Sequence, residues 1–278
     1  VISPDVKLFL LEEPKQSVGD APMYDRIPAF GAHEVLLAEP VTVSGLECLI
    51  RALRIRSDEL RYKATDRSSR HFYTFASFDI VKRRLTGTLL ASREVAPTIV
   101  NEISNAREYY NFHPRRCLNC DIEKQERASQ QDPESRFVAL TENFTAFIPF
   151  APRDRYEIEI LPAWHISSLA DLTNQQVGEF ASLAYDMVQR VIAGAKNDSR
   201  YIDIVHFVMH SVPIVDPIPK NDKPIARLEK VYHFNDYVIP IKDPLYGHPV
   251  DIPLSGWQIV GSRPKDTAAF LRSLNHQP

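Results

Sequence analysis

The sequence predicts an α+β fold built on an antiparallel sheet, and three observations predict it. From residue 136 onward the chain follows a strand–strand–helix–strand–strand order. Residues 31–114 carry a fainter strand–helix–strand–helix version of the same order. The apolar residues switch between strand-like runs or alternation and the three-to-four spacing of a helix, as segregated layers of sheet and helix require. Two related halves are therefore expected, residues 1–112 and 113–278, each with an antiparallel sheet and packed helices.

The elements follow in chain order. "GAHEVLLAEP" reads as a strand, "SGLECLIRALRIRSDELRY" as a helix with Ser44 as candidate cap, and "HFYTFASFDIV" as an aromatic, β-branched strand. "TIVNEISNAREYYNFHP" returns to helical spacing and stops at Pro114, after which the polar run Asp121 to Arg136 reads as the most flexible part of the chain. "RFVALTENFTAFIPFAPRDRYEIEILP" reads as two strands joined by a turn at Arg153, Asp154 and Arg155. "SSLADLTNQQVGEFASLAYDMVQRVIAGA" is a long amphipathic helix with Asp171 or Thr173 as cap. "IDIVHFVMH", "ARLEKVYHFNDYVIPI" and "GWQIVG" read as strands, and "PKDTAAFLRSL" as a closing helix with Pro264 near its start.

Composition narrows the function class. The chain has 278 residues, 44% hydrophobic, 25% charged and 10% aromatic, with a formal charge of −3. That balance points to neither nucleic acid nor an anionic membrane as partner. No run approaches the ~18 apolar residues of a membrane span, and residues 1–30 lack a basic-then-apolar signal pattern, so a cytoplasmic protein is expected.

Three cysteines in a chain of this length do not make a secreted disulfide framework. Cys48 sits in a helical apolar pattern and reads as a small buried hydrophobe. Cys117 and Cys120 stand in a C-x-x-C spacing within "RRCLNCDIEKQE". A redox pair belongs at a strand-to-helix junction of a βαβ unit, and this pair follows a helix-like segment, so half of a tetrahedral zinc site is the better reading. His165, where a strand ends, and His233, in "KVYHFNDYVIP", are candidate partners, with His210 as a rival. His33, His71, His113, His206, His248 and His276 have no comparable context.

"RCLNCDI", "FVALTENFTAFIPFAPRDRYEIEILPAWHISSLADL", "HFVMHSVP", "VYHFNDYVIP" and "SGWQIVGSRPKDTAAFLRSL" together resemble the C-terminal half of the galactose-1-phosphate uridylyltransferase family. That family lies within the histidine-triad superfamily and includes ADP-glucose phosphorylase-like members. "AFGAHEVLLAEP" and "GTLLASREVAPTIVNEISNAREYY" are similar to segments of its N-terminal half. The resemblance implies a histidine-triad-like fold and one structural zinc held by Cys117, Cys120, His165 and His233. It implies a nucleotide sugar or sugar phosphate as ligand, and a homodimer.

The departures carry equal weight. Active members of the family hold a His-x-His-x-Gln motif whose second histidine attacks the α-phosphorus, a task suited to a neutral imidazole. Here "DIVKRRLTGTLLASREVAP" places Arg84, Thr86 and Thr88 at those positions, with His71 and His113 the nearest imidazoles. The family's N-terminal C-x-x-C is absent from residues 1–40, and Asn235 replaces the second histidine of its H-x-H strand. Two readings follow: a nucleotidyltransferase of the uridylyltransferase type, or a noncatalytic zinc-containing relative that binds a nucleotide, a sugar phosphate or a protein partner. In the second reading Lys82, Arg83 and Arg84 are candidate substrate-binding residues, because guanidinium forks match phosphate oxygens. The structural alternative for this run is a solvated basic turn.

Overall fold

In the computed structural model of the chain, residues 9–10, 32–38, 41–63, 71–80, 82–92, 95–113, 115–132, 135–152, 154, 156–197, 199, 202–214, 228–241, 250–251 and 258–259 are described. The strands of the main sheet are β1 (Phe9–Leu10), β2 (Ala32–Ala38), β3 (His71–Asp79), β4 (Arg84–Ser92), β5 (Phe137–Leu140), β6 (Phe144–Phe147), β7 (Ile158–Pro162), β8 (Ile204–His210) and β9 (Asn235–Ile241). The helices are α1 (Val43–Lys63), α2 (Pro97–Phe112), α3 (Leu118–Ala128), α4 (Asn174–Asn197) and the short α5 (Leu228–Val231). A separate two-stranded ribbon pairs β10 (Val250–Asp251) with β11 (Gln258–Ile259), within the expected "GWQIVG" strand. The expected closing helix from Pro264, and Arg153 and Arg155, lie outside the described residues.

The sheet order is β1-β2-β4-β3-β8-β9-β7-β6-β5, and every pairing is antiparallel. The duplication is visible in that order. In the first half β1-β2-α1-β3-β4 folds to the spatial order β1-β2-β4-β3, and in the second β6-β7-α4-β8-β9 folds to β6-β7-β9-β8. The equivalent strands β3 and β8 meet antiparallel, as a two-fold relation between halves demands. The expected division after residue 112 falls at the end of α2.

Both faces of the sheet are covered. On the first face lie α1 and α4, whose apolar residues recur at helical spacing: Leu46, Leu49, Ile50 and Leu53 in α1, and Val177, Phe180, Ala181, Ala184, Met187, Val188 and Val191 in α4. They pack on Phe72, Ala76, Phe78, Leu85, Leu89, Val205 and Phe207. Gly87 admits α1 to the sheet, since a Cβ there would stand 2.8 Å from Leu49 Cδ1. The second face carries Tyr73, Phe75, Leu90 and Val208 beneath Ile99 and Ile103 of α2 and Leu228 of α5.

Several local expectations are corrected. Thr42, not Ser44, caps α1, because the helix starts at Val43 and the Thr42 hydroxyl accepts the Gly45 N–H at 3.2 Å. For α4 the expected Thr173 cap is present, reciprocal with Gln176, while the alternative Asp171 closes a 3-10 turn with Ser168. The polar run after Cys120 is helical, because Glu123 and Glu126 turn inward. Glu123 accepts from Arg127 at 2.6 Å and Thr145 at 2.7 Å, and Glu126 pairs with Arg136. "RFVALTENFTAFIPFAPRDRYEIEILP" makes three strands, with a hairpin turn at Thr141–Phe144. "RLTGTLLAS" adds the unexpected strand β4, and the segment before Asn235 bends through α5 and leaves the strand to start at Asn235.

Asp236 is the anomaly of the first-face core. It is fully buried between Phe234 and Val238, and neither carboxyl oxygen has a hydrogen-bond partner among the described residues. Burial raises its pKa well above the usual carboxylate range, reinforced by the charge of Glu159; the Tyr237 N–H pulls weakly the other way without closing a hydrogen bond. The native state therefore favours the neutral acid, and stability falls as pH rises from the unfolded value near ~3.9 toward the raised native pKa, by up to about 1.4 kcal/mol per pH unit. Asp236→Asn is expected to be more stable than the wild type at pH 8, with the gap closing toward pH 4. Urea unfolding at several pH values checks this, and a pH-independent gap would contradict it.

Candidate metal centre and the second sheet face

The C-x-x-C pair sits at the start of α3. Cys117 occupies the N-cap in extended conformation and Cys120 lies three residues on, so both thiols project from the same end of the helix. Asp121 fixes this entry by accepting from the Tyr109 hydroxyl at 2.7 Å and from Arg116 Nε at 2.8 Å. His165 follows β7, and His233 lies between α5 and β9. The Phe234 N–H donates to the Ile166 carbonyl at 2.8 Å, which holds these two segments side by side with ring centroids 5.2 Å apart.

The four donor atoms, two sulfurs and two Nδ1 nitrogens, lie within 4.8 Å of one another. Cys117 Sγ to His233 Nδ1 is 3.7 Å, Cys120 Sγ to His165 Nδ1 is 3.5 Å, and Cys120 Sγ to His233 Nδ1 is 3.4 Å. A tetrahedral zinc with sulfur at about 2.3 Å and nitrogen at about 2.05 Å has sulfur–nitrogen edges of about 3.6 Å. The donor set and its spacing fit such an ion. His165 Nε2 donates to the Glu229 carbonyl at 2.8 Å, which leaves the Nδ1 lone pair facing the thiols.

The electrostatics favour a thiolate here. The hydrogen bond from Cys120 pulls the Cys117 pKa down, with His165 and His233 adding to it against the cost of burial. Cys120 holds the shared proton, and its pKa is raised. The Cys117 thiolate in turn raises His165, opposed by burial.

The rival His210 is engaged elsewhere. It is fully buried on the second face, where Nδ1 lies 2.9 Å from Glu102 and Nε2 lies 3.2 Å from the Tyr73 hydroxyl. The Tyr232 hydroxyl donates to the same Glu102 at 2.8 Å, and burial first, then that carboxylate, raises the Tyr232 pKa. Trp164, partly buried, packs edge-on against Phe144 at the margin of the core. Glu34 is fully buried against Arg56.

Strand register places Arg84, Thr86 and Thr88 of β4 on the second face, the face of Tyr73 and Phe75. Lys82, Arg83 and Arg84 are all exposed, at the turn from β3 to β4. Lys82 pairs with Asp79 at 3.4 Å, and Arg83 takes a positive φ of 51°. They are remote in sequence and element from the cysteine cluster. Sequence reasoning passed over His206, whose Nδ1 lies 2.8 Å from the Ser77 hydroxyl across the β3–β8 seam. The period-2 spacing of His206 and His210 in "HFVMH" is the signal that puts both on one face.

This antiparallel α+β architecture matches solved uridylyltransferase structures in fold. A solved uridylyltransferase structure covers 97% of this chain and 84% of its own, with a TM-score of 0.65 at 20% identity. An ADP-glucose phosphorylase from Arabidopsis thaliana, solved with ADP-glucose, covers 90% of this chain and 76% of its own at TM-score 0.61 and 17% identity. A GALT-like protein from Arabidopsis thaliana covers 97% and 84% at TM-score 0.60 and 18% identity. In sequence, galactose-1-phosphate uridylyltransferase of Thermotoga maritima is 33% identical over 82 residues, 30% of this chain. That match spans 24% of the relative's length. No family model matches the chain. Among the described residues, no helix is long and apolar enough to cross a membrane.

Proposed function

We propose that the protein binds a nucleotide sugar or sugar phosphate on the second face of its sheet, on a scaffold whose second half is stapled by one structural zinc. The observation that carries this reading is the match in fold, over nearly the whole chain, to proteins named for nucleotide-sugar chemistry. The zinc is structural because two thiolates and two imidazoles complete a tetrahedron and leave no position for water or substrate. Arg84 would meet phosphate oxygens from the exposed end of β4, with Lys82 and Arg83 beside it. Thr86 and Thr88 follow Arg84 on the same face where the resemblance puts the family's histidine motif. Neither can form a nucleotidyl-histidine, so the reading commits to binding, as a monomer or as a homodimer.

Isothermal titration with UDP-glucose and ADP-glucose tests it. Saturable binding of at least one is expected, and Arg84→Gln is expected to weaken it about tenfold, or ~1.4 kcal/mol. Absence of binding by both ligands would overturn the proposal. Binding unchanged by Arg84→Gln would remove that residue from the site.

A further inference from the structure

Ser77 and His206 form a hydroxyl–imidazole pair on the second face of the sheet. The two stand on neighbouring strands from opposite halves, directly paired in register, with Ser77 Oγ 2.8 Å from His206 Nδ1. Register extends this into a row across the second face: Thr86 on β4, Ser77 on β3, His206 on β8 and Ile239 on β9. Ser77, Thr86 and His206 are half-buried, whereas Tyr73 and His210, further along the same strands, are fully buried on the face that α2 and α5 cover. Two residues beyond the row, on the same face, Arg84 stands opposite Asp79, which in turn stands opposite Ile204.

A hydroxyl within hydrogen-bonding reach of an imidazole lone pair is the minimal arrangement of a nucleophile and its proton acceptor. The surroundings choose the electrophile. Ser77 lies on an interior strand, so the backbone N–H groups around it are engaged in the ladders to β4 and β8 and cannot form the oxyanion hole of acyl transfer. The polar groups placed nearby by register are the Thr86 hydroxyl and, two residues on, the Arg84 cation and the Asp79 carboxylate. Asp79 is engaged by Lys82, whose backbone N–H donates to Oδ1 at 2.7 Å and whose Nζ lies 3.4 Å from Oδ2, which leaves the Thr86 hydroxyl and the Arg84 cation to suit a phosphoryl group.

We infer that Ser77 is a nucleophile toward the α-phosphorus of a nucleotide sugar, with His206 as its proton acceptor. This rests on the proposed binding function and adds a reaction to it. In the first step the Ser77 Oγ–phosphorus bond forms, the bond from the α-phosphorus to the bridging oxygen breaks, and the sugar phosphate leaves with the electron pair. The hydroxyl proton passes to His206 Nδ1. In the second step an oxygen of an incoming phosphate attacks the same phosphorus, Ser77 Oγ leaves, and His206 returns the proton. Burial lowers the His206 pKa to about 4, so the free ring is neutral and its lone pair is available. A bound phosphate raises its basicity again by favouring the imidazolium.

The test incubates the full chain separately with UDP-glucose and ADP-glucose, quenches in acid, and maps any nucleotidyl adduct by peptide mass spectrometry, with calorimetric binding measured in parallel. A serine phosphodiester survives acid and a phosphohistidine does not, so an acid-stable adduct on the Ser77 peptide is expected. Ser77→Ala should abolish it, and His206→Gln, which keeps an acceptor but not a base, should slow its formation by about 100-fold or more. Binding without an adduct, or an adduct elsewhere, overturns the Ser77 step and leaves the binding function standing. Binding of neither nucleotide sugar overturns both. An unslowed His206→Gln variant overturns the role of His206. The wild-type result decides the nucleophile whether or not the variants fold.

Discussion

Removing the metal with a chelator, or replacing Cys117 with Ser, is expected to lower the melting temperature by roughly 10 °C. The magnitude follows from where the cluster sits. It ties the start of α3 to the segment after β7 and to the approach to β9, joining three stretches separated by as many as 116 residues. Metal binding in small zinc domains supplies about 10–16 kcal/mol of folding free energy. Here α1, α4 and the sheet have their own core, so about a third of that is expected to appear as lost stability, and each kcal/mol moves the midpoint by roughly 2–4 °C in a chain of this size. The ligands must be deprotonated to bind, so acidification should release the ion as protons compete for them. Elemental analysis should return one zinc per chain for the wild type and none for Cys117→Ser. A chelator-insensitive melt combined with no bound metal would refute the site.

Replacing Arg56 with Met should cost about 3–5 kcal/mol, the loss associated with stripping one partner from a buried ion pair. Glu34 is fully buried, and Arg56 reaches it in a fork, Nε to Oε2 at 2.8 Å and Nη2 to Oε1 at 2.6 Å. Glu59 holds the same guanidinium from the solvent side. The variant leaves a carboxylate in the apolar layer between β2 and α1 with its cation gone. The double variant Glu34→Met with Arg56→Met should recover most of the loss, since replacing both partners by apolar groups removes the stranded charge. Denaturant midpoints for the two variants decide the matter. A cost below about 1 kcal/mol for Arg56→Met would mean that Glu34 is not held as a buried charge.

The cysteine–histidine cluster was legible in the sequence because much of its signal is local. C-x-x-C places two thiols at one helix end, and His165 and His233 lie in segments whose resemblance to a known family names them. What brings them together is not local: it is the Phe234 N–H bonded to the Ile166 carbonyl, a contact between a strand approach and a distant loop. Helix α3 was misread as flexible because its residues are polar. Only the arrival of Thr145 and Arg136 makes burial of Glu123 and Glu126 affordable. Glu34 shows the same limit. Alternation along β2 separates two faces, yet this sheet carries helices on both, so period 2 cannot say which side meets water.

The order of elements, their periods, the cysteine spacing and the doubling of the chain were written in the sequence, because each depends on residues a few positions apart. The joining of the halves at β3 and β8, the pairing of Ser77 with His206, and the contact of buried His210 with Tyr73 were settled by strand register between segments more than a hundred residues distant, and Asp236 was buried by its pairing with Met209 and Ile160. A register is chosen by the sum of packing over a whole sheet. No short stretch of residues contains that sum.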